Sequence, residues 1–182
     1  MGKIFDVIDE RLEAWIARQR MYFVGTAPSG SDGHVNVSPK GPIETLRILG
    51  ERTVAYLDLV GSGAETIAHL RENGRIVIML CAFDGPPRIV RLHGRGVVLE
   101  PGAVDFPDAT ALPEQRRTVI RVDVERIADS CGFGVPLMAY EGERPQSLAW
   151  AQTKLAKGGP GALDDYVAEK NAVSIDGLPA LG

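Results

Sequence analysis

The chain has 182 residues, 45% of them apolar and 24% charged, and its 20 Lys plus Arg stand against 24 Asp plus Glu for a net charge of −4. A chain of this length buries roughly 70% of its extended surface, enough for one self-sufficient domain, and the acidic balance argues against a nucleic-acid partner bound through its phosphates. The longest strictly apolar run, residues 76–83, is far shorter than the roughly 20 residues that span a bilayer, so no membrane segment is expected. The Met1-Gly2 opening has Asp6 where a myristoylation site needs Ser or Thr, and no apolar leader follows it. Cys81 and Cys131 lie outside any C-x-x-C pattern. Both are expected to be reduced thiols of a cytoplasmic protein.

From the N-terminus, Ile4, Val7, Ile8, Leu12, Trp15 and Ile16 recur at helical spacing and predict an amphipathic helix over 4–19. Two short strands, 21–26 and 34–38, flank the Pro28-Ser29-Gly30 turn and predict a hairpin. A third strand over 53–59 runs into Gly61-Ser62-Gly63 and a short helix over 64–72. The fourth strand, 75–83, is apolar throughout and is expected to be buried on both faces. Gly85-Pro86-Pro87 turns the chain into a fifth strand, 88–100, where Gly94 and Gly96 predict a bulge or a bend. A sixth strand over 117–126 alternates apolar and charged residues, and helices are expected over 145–157 and 162–170. The fold class is therefore mainly β (α+β): a six-stranded antiparallel barrel with flanking helices and a helical C-terminal segment. It forms a single domain over 1–182, with the barrel at about 20–127 and the helical extension at about 144–182.

Dinucleotide and P-loop signatures are absent, Gly61-Ser62-Gly63 is no nucleophile elbow, and His34, His69 and His93 form no metal motif. Ser62-x-x-Glu65 has the spacing of a capping box at the start of the 64–72 helix, and the same glycine-flanked start suits an anion. On the fifth strand, period two puts Arg91, His93 and Arg95 on one face and Arg88 on the other. Lys40 adds a cation after Pro39, which is expected to end regular pairing of the second strand. These cations mark a site for a phosphate or a carboxylate.

In this order, Met21-Tyr22-Phe23-Val24-Gly25-Thr26-Ala27-Pro28, Gly33-His34-Val35-Asn36-Val37-Ser38-Pro39-Lys40-Gly41, Val54-Ala55-Tyr56-Leu57-Asp58-Leu59 with Gly61-Ser62-Gly63-Ala64-Glu65-Thr66, and Gly85-Pro86-Pro87-Arg88 resemble the pyridoxamine 5′-phosphate oxidase-like family of flavin-binding split β-barrels. The likeness runs from Ile8 to Arg126. It continues into Glu169-Lys170-Asn171 and Ser174-Ile175-Asp176-Gly177-Leu178-Pro179, which is similar to the tail of a bacterial branch. The resemblance implies FMN bound between the two chains of a homodimer, with a small-molecule substrate and hydride transfer through the flavin. It places Asn36, Val37, Ser38 and Lys40 along the isoalloxazine, and Tyr56, Leu57, Asp58, Ser62 and Thr66 by the ribityl chain and phosphate. Arg88 stands where the family carries a basic residue, with Arg91 as a further contact. Two departures matter. Gly63 and Ala64 replace the consecutive basic residues that follow the phosphate-loop serine in true oxidases, so Lys40, Arg88 and Arg91 are expected to meet the phosphate charge. The basic, His-containing substrate signature near the C-terminus is also missing, which argues against pyridoxamine phosphate as substrate. The alternative implied by the same fold is a non-catalytic carrier of flavin, deazaflavin or haem, with His69 and His93 as the histidines available to haem.

Overall fold

The computed structural model describes residues 2–107 and 111–181; Met1 of the myristoylation-like opening lies outside them. In chain order the elements are β1 (Ile4–Phe5), α1 (Glu10–Ala17), β2 (Tyr22–Thr26), β3 (Asn36–Lys40), β4 (Leu46–Gly50), β5 (Thr53–Leu59), α2 (Glu65–Asn73), β6 (Arg75–Cys81), β7 (Ile89–Leu99), β8 (Arg116–Ser130), α3 (Gln146–Gly158) and α4 (Ala162–Lys170). Among the described residues all strand pairs are antiparallel and belong to one sheet, ordered β3-β2-β6-β7-β8-β5-β4, with β1 paired to β8. The sheet therefore has eight strands rather than six. The two unforeseen strands are β1, only two residues long, and β4, which pairs with β5 as a hairpin.

The helix expected from residue 4 begins only at Glu10. Asp9 caps it by accepting a hydrogen bond from Leu12 N at 2.8 Å, which releases Ile4 and Phe5 to pair with Ala128 and Ile127. Pro39 does not end β3. It stays in register opposite Phe23, and Lys40 still pairs with Tyr22, because β3 is an edge strand on which a missing donor costs little. In β6 the alternation is real despite the apolar run: Ile76, Ile78 and Leu80 are buried while Val77 and Met79 are half-buried.

One cluster joins Val24 of β2, Leu46 of β4, Val54 and Tyr56 of β5, Ile78 of β6, Leu92 of β7 and Ile120 of β8. Side chains from both ends of the strand order meet there, so the sheet curls around them and stays open between β3 and β4, as a split barrel does. The seam is bridged inside: the Tyr22 and Tyr56 rings stand edge to face at 5.8 Å, and Tyr22 Oη shares a hydrogen bond with Thr45 Oγ1 at 2.8 Å. Ile8, Leu12, Trp15 and Ile16 of the N-terminal segment, and Ile67 and Leu70 of α2, belong to the same core. The outer side of β5 and β8 is also covered, by Phe106 against Ala55, Leu57 and Val119. After α4 the tail returns to the barrel, where Ala180 is fully buried with Leu178 and Leu181 against it.

The predicted bulge in β7 is present as a register shift between His93 and Gly94. A Cβ on Gly94 would sit 2.1 Å from the Asp123 carbonyl oxygen, a backbone atom that cannot swing aside. Gly94→Ala should therefore cost about 1–3 kcal/mol through overpacking, seen as a fall of several degrees in the thermal midpoint followed by circular dichroism. An unchanged midpoint would contradict the backbone approach described for β7 and β8.

Candidate cofactor site

At the end of β5, Asp58 is 1% exposed and still carries a carboxylate. Its Oδ1 accepts from Lys40 Nζ at 2.7 Å, and its Oδ2 accepts from Arg117 Nη2 at 2.6 Å and Nε at 2.9 Å. Burial pushes the Asp58 carboxyl up, but the Lys40 and Arg117 charges together outweigh it and hold the group below the usual carboxylate range. The side chain of Arg117 is 5% exposed and that of Lys40 22%. The three form a buried charge cluster with one positive charge in excess.

A cleft of about 250 Å³ opens beside this cluster, lined by Ser38, Pro39, Lys40, Leu59, Gly61, Gly63, Thr66 and Arg117 together with one acidic residue, Glu65. Asn36 and Ser38 alternate onto the cleft side of β3 while Val37 is exposed. Ser38 Oγ donates to Asn36 Oδ1 at 3.2 Å, and Asn36 Nδ2 donates to Thr66 Oγ1 at 3.0 Å, tying the edge strand to the first turn of α2. β3 ends the sheet, so one side of its backbone has no strand partner. The anticipated capping box is not formed. Ala64 takes the N-cap position, no side chain caps the helix, Ser62 is exposed, and Glu65 Oε1 instead accepts from Ile175 N at 3.3 Å. The N-terminus of α2 thus lies beside the cleft without a side-chain cap, and the Glu65 carboxylate turns back over Gly63, 2.6 Å from where a Cβ on that glycine would stand.

Lys40, Ser38, Asn36, Thr66 and Asp58 accordingly come together. Tyr56 and Leu57 are core residues. Tyr56 is fully buried, with Oη lacking a partner in the structure and its proton held tightly by burial and the Asp58 charge. Leu57 reaches only a smaller neighbouring cavity bounded by Pro39, Lys40 and Leu59. Arg88 and Arg91 lie elsewhere in the chain. Arg88 pairs with Asp129 at 3.2 Å, stacks over Trp15 and Phe5, and borders a cavity of about 740 Å³ with Gln19, Pro87 and Ser130. Arg91 Nη1 donates to Ser130 Oγ at 3.1 Å.

The sequence reading missed Arg117 and Asn171. Arg117 looked like one of the outward charges of β8, and nothing local marks it as buried. It is covered by the 61–63 loop and by Asn171, both distant in sequence. His69 is fully buried, its Nδ1 bonded to Thr26 Oγ1 at 3.0 Å, and burial lowers its proton affinity. His93 is exposed on β7. Neither ring meets the other candidate residues, so the haem alternative has no ligand at this cleft. Among the described residues no group of three or more His, Cys, Asp or Glu is placed to hold a metal, and no helix is long and apolar enough to cross a membrane.

Asp58 depends on both cations, so Asp58→Asn leaves two buried positive charges without their counter-ion. The expected cost near neutral pH is about 3–5 kcal/mol. The Asp58 carboxyl is depressed in the fold, so its stabilisation is present above the unfolded value of about 4 and is lost as pH falls through the folded value. Denaturant titrations of both proteins should give stabilities that converge as pH drops below about 4. A gap independent of pH would mean that Asp58 contributes no charge to the fold.

Comparison with known proteins places these elements in a family. The model of the family described as pyridoxamine 5′-phosphate oxidase matches residues 8–131. A pyridoxamine 5′-phosphate oxidase family protein of Aspergillus flavus, ustO, is 38% identical over 197 aligned positions, covering 100% of this chain and 78% of its own length. That relative is fungal and the match includes the tail, so the tail does not by itself separate bacterial from fungal members. Among solved structures, a conserved hypothetical protein of Mycobacterium tuberculosis is 18% identical with a TM-score of 0.49, over 74% of this chain and 93% of its own. An FMN-binding protein of Syntrophomonas wolfei is 17% identical with a TM-score of 0.44, over 62% of this chain and 78% of its own. The family match and the full-length fungal relative together establish that the chain belongs to the pyridoxamine 5′-phosphate oxidase family.

Proposed function

We propose that the protein is an FMN-dependent oxidoreductase in which the flavin lies between two copies of the chain. The observation that carries this reading is the convergence, at one cleft, of an edge strand, a buried charge cluster with one excess cation, and an uncapped helix N-terminus. An aromatic ring with a polar edge and a phosphorylated side chain needs that set: donors for the phosphate and free backbone groups for the ring.

The residues present fit such a group. Lys40 and Arg117 offer charge, Ser38 and Thr66 offer hydroxyls, and the first turn of α2 offers N–H groups, in place of the consecutive basic residues absent after Ser62. Asp58 neutralises one of the two cations and fixes both, so neither has to be ordered when an anion arrives. Asn36, held by Ser38 and Thr66, and the unpaired side of β3 are suited to orient the ring. Arg88 and Arg91 pair instead with Asp129 and Ser130, Arg88 beside the larger cavity. A homodimer brings such a second surface against the first, and the exposed Val35, Val37, Phe133 and Leu137 supply apolar area for the contact. The flavin itself supplies the hydride chemistry, accepting from one small molecule and giving to another. The protein binds it, orients it and limits the approach of water.

Purified protein should carry visible flavin absorption, release a compound with the mass of FMN, and run as a dimer in light scattering. Lys40→Ala together with Arg88→Ala should weaken FMN binding roughly tenfold or more, as expected for lost hydrogen bonds to charge. Absence of copurifying flavin together with no binding of added FMN would overturn the proposal. Tight binding without reduction by nicotinamide donors faster than free FMN would favour a flavin carrier over an oxidoreductase.

A further inference from the structure

Asn171 follows the last residue of α4 and is fully buried, although its side-chain partners lie 54 and 110 residues away in the chain. Both ends of its amide are used. Nδ2 donates to the Gly61 carbonyl at 3.0 Å, and Oδ1 accepts from Arg117 Nη1 at 2.8 Å. The same Arg117 nitrogen donates to the Gly63 carbonyl at 2.8 Å. The Gly61-Ser62-Gly63 loop that borders the cleft is thereby held at both glycines by a buried pair of side chains.

We infer that Asn171 is a positioning residue: with Arg117 it holds the Gly61-Ser62-Gly63 loop in the shape that receives the phosphate end of a flavin nucleotide, so that the C-terminal tail helps to build the cofactor cleft. This rests on the flavin reading above. The physical need follows from the loop itself. Two glycines in three residues leave the backbone free to rotate, and that freedom must be lost before an anion can be held there. A trans peptide is planar, with C=O and the next N–H pointing in opposite directions. Tying the Gly61 and Gly63 carbonyls therefore also fixes the directions of the Ser62 and Ala64 N–H groups at the entry to α2.

The tail is well placed to impose this order. Asn171 N donates to the Val167 carbonyl at 2.8 Å, and its own carbonyl accepts from Leu181 N at 2.9 Å, so the residue is held between α4 and the returning chain. Ala180, fully buried in the main core, anchors that return. Two further fastenings join the tail to the same side of the barrel. Ile175 N engages Glu65 Oε1 at 3.3 Å, and Asp176 accepts from His34 N at 2.8 Å and contacts its Nδ1 at 2.6 Å.

The test compares FMN with riboflavin, which shares the ring and ribityl chain and lacks the phosphate. Flavin-stripped full-length protein, Asn171→Ala and the near-isosteric Asn171→Asp are titrated with each, and folding is followed by circular dichroism. Asn171→Ala should lose roughly tenfold or more in FMN affinity, with riboflavin affinity changed by less than about twofold. Asn171→Asp keeps the shape and the Arg117 contact but cannot donate to Gly61, so it should resemble Asn171→Ala in the FMN titration. Equal losses for both ligands in whichever variants fold, or an Asp variant that binds FMN as the parent does, would overturn the positioning role while leaving the flavin reading intact. A parent protein that binds neither ligand overturns both.

Discussion

A carboxylate buried at the end of β5 dictates much of what surrounds it. Asp58 can remain ionised with 1% exposure only because Lys40 and Arg117 each meet one of its oxygens. Isolated, a charge in that position would be expelled or neutralised. The pairing recruits Lys40 from the edge strand β3 and Arg117 from the start of β8, so two strands that are not neighbours in the sheet are held to the same point of β5. Arg117 then spends its remaining nitrogen on Gly63 and Asn171, which brings in the loop before α2 and the end of α4. The cleft is the space left over between these parts.

That arrangement places the positive charge of the cleft on strand residues rather than on the loop beside it. A run of basic side chains on the loop would bring strong attraction but would need ordering at each binding event. Here the loop carries no cation; its glycines approach closely, and charge comes from residues fixed in advance by Asp58. The helix N-terminus adds donors whose direction is set by the fold. The cost is a buried ion cluster, stable only while all three members are present.

The barrel interior and the cleft are also linked mechanically. Tyr56 packs against Tyr22 across the open seam, two residues before Asp58, while α2 both fills the core with Ile67 and Leu70 and starts beside the cleft. Close packing transmits small displacements rather than absorbing them. Changes to the core near β5 are thus felt at Asp58, and changes at Asp58 are felt in the seam.

Much of this was legible from residue order alone. Six of the strands, the short helix after Gly63 and both C-terminal helices follow from local period, turn residues and glycine placement, because those signals act between near neighbours in the chain. Lys40 stood out by its charge, and the family resemblance of the motifs added Asn36, Ser38, Asp58 and Thr66, which the fold brings to one place with it. The sequence reading did not find β1, a two-residue strand whose partner lies more than one hundred residues away, or β4, which forms a tight hairpin with β5. Nor could it find Arg117 or Asn171. Arg117 reads locally as part of the solvated face of β8 and Asn171 as the residue that ends α4, and each is buried by chain more than fifty residues away. It grouped Arg88 and Arg91 with Lys40 by charge, whereas within one chain the register of β7 and β8 carries them to Asp129 and Ser130. Local sequence thus determined the elements and the chemical kinds of side chain available; only the tertiary structure decided which charges meet, because ion pairing and burial depend on distances in space that no spacing along the chain encodes.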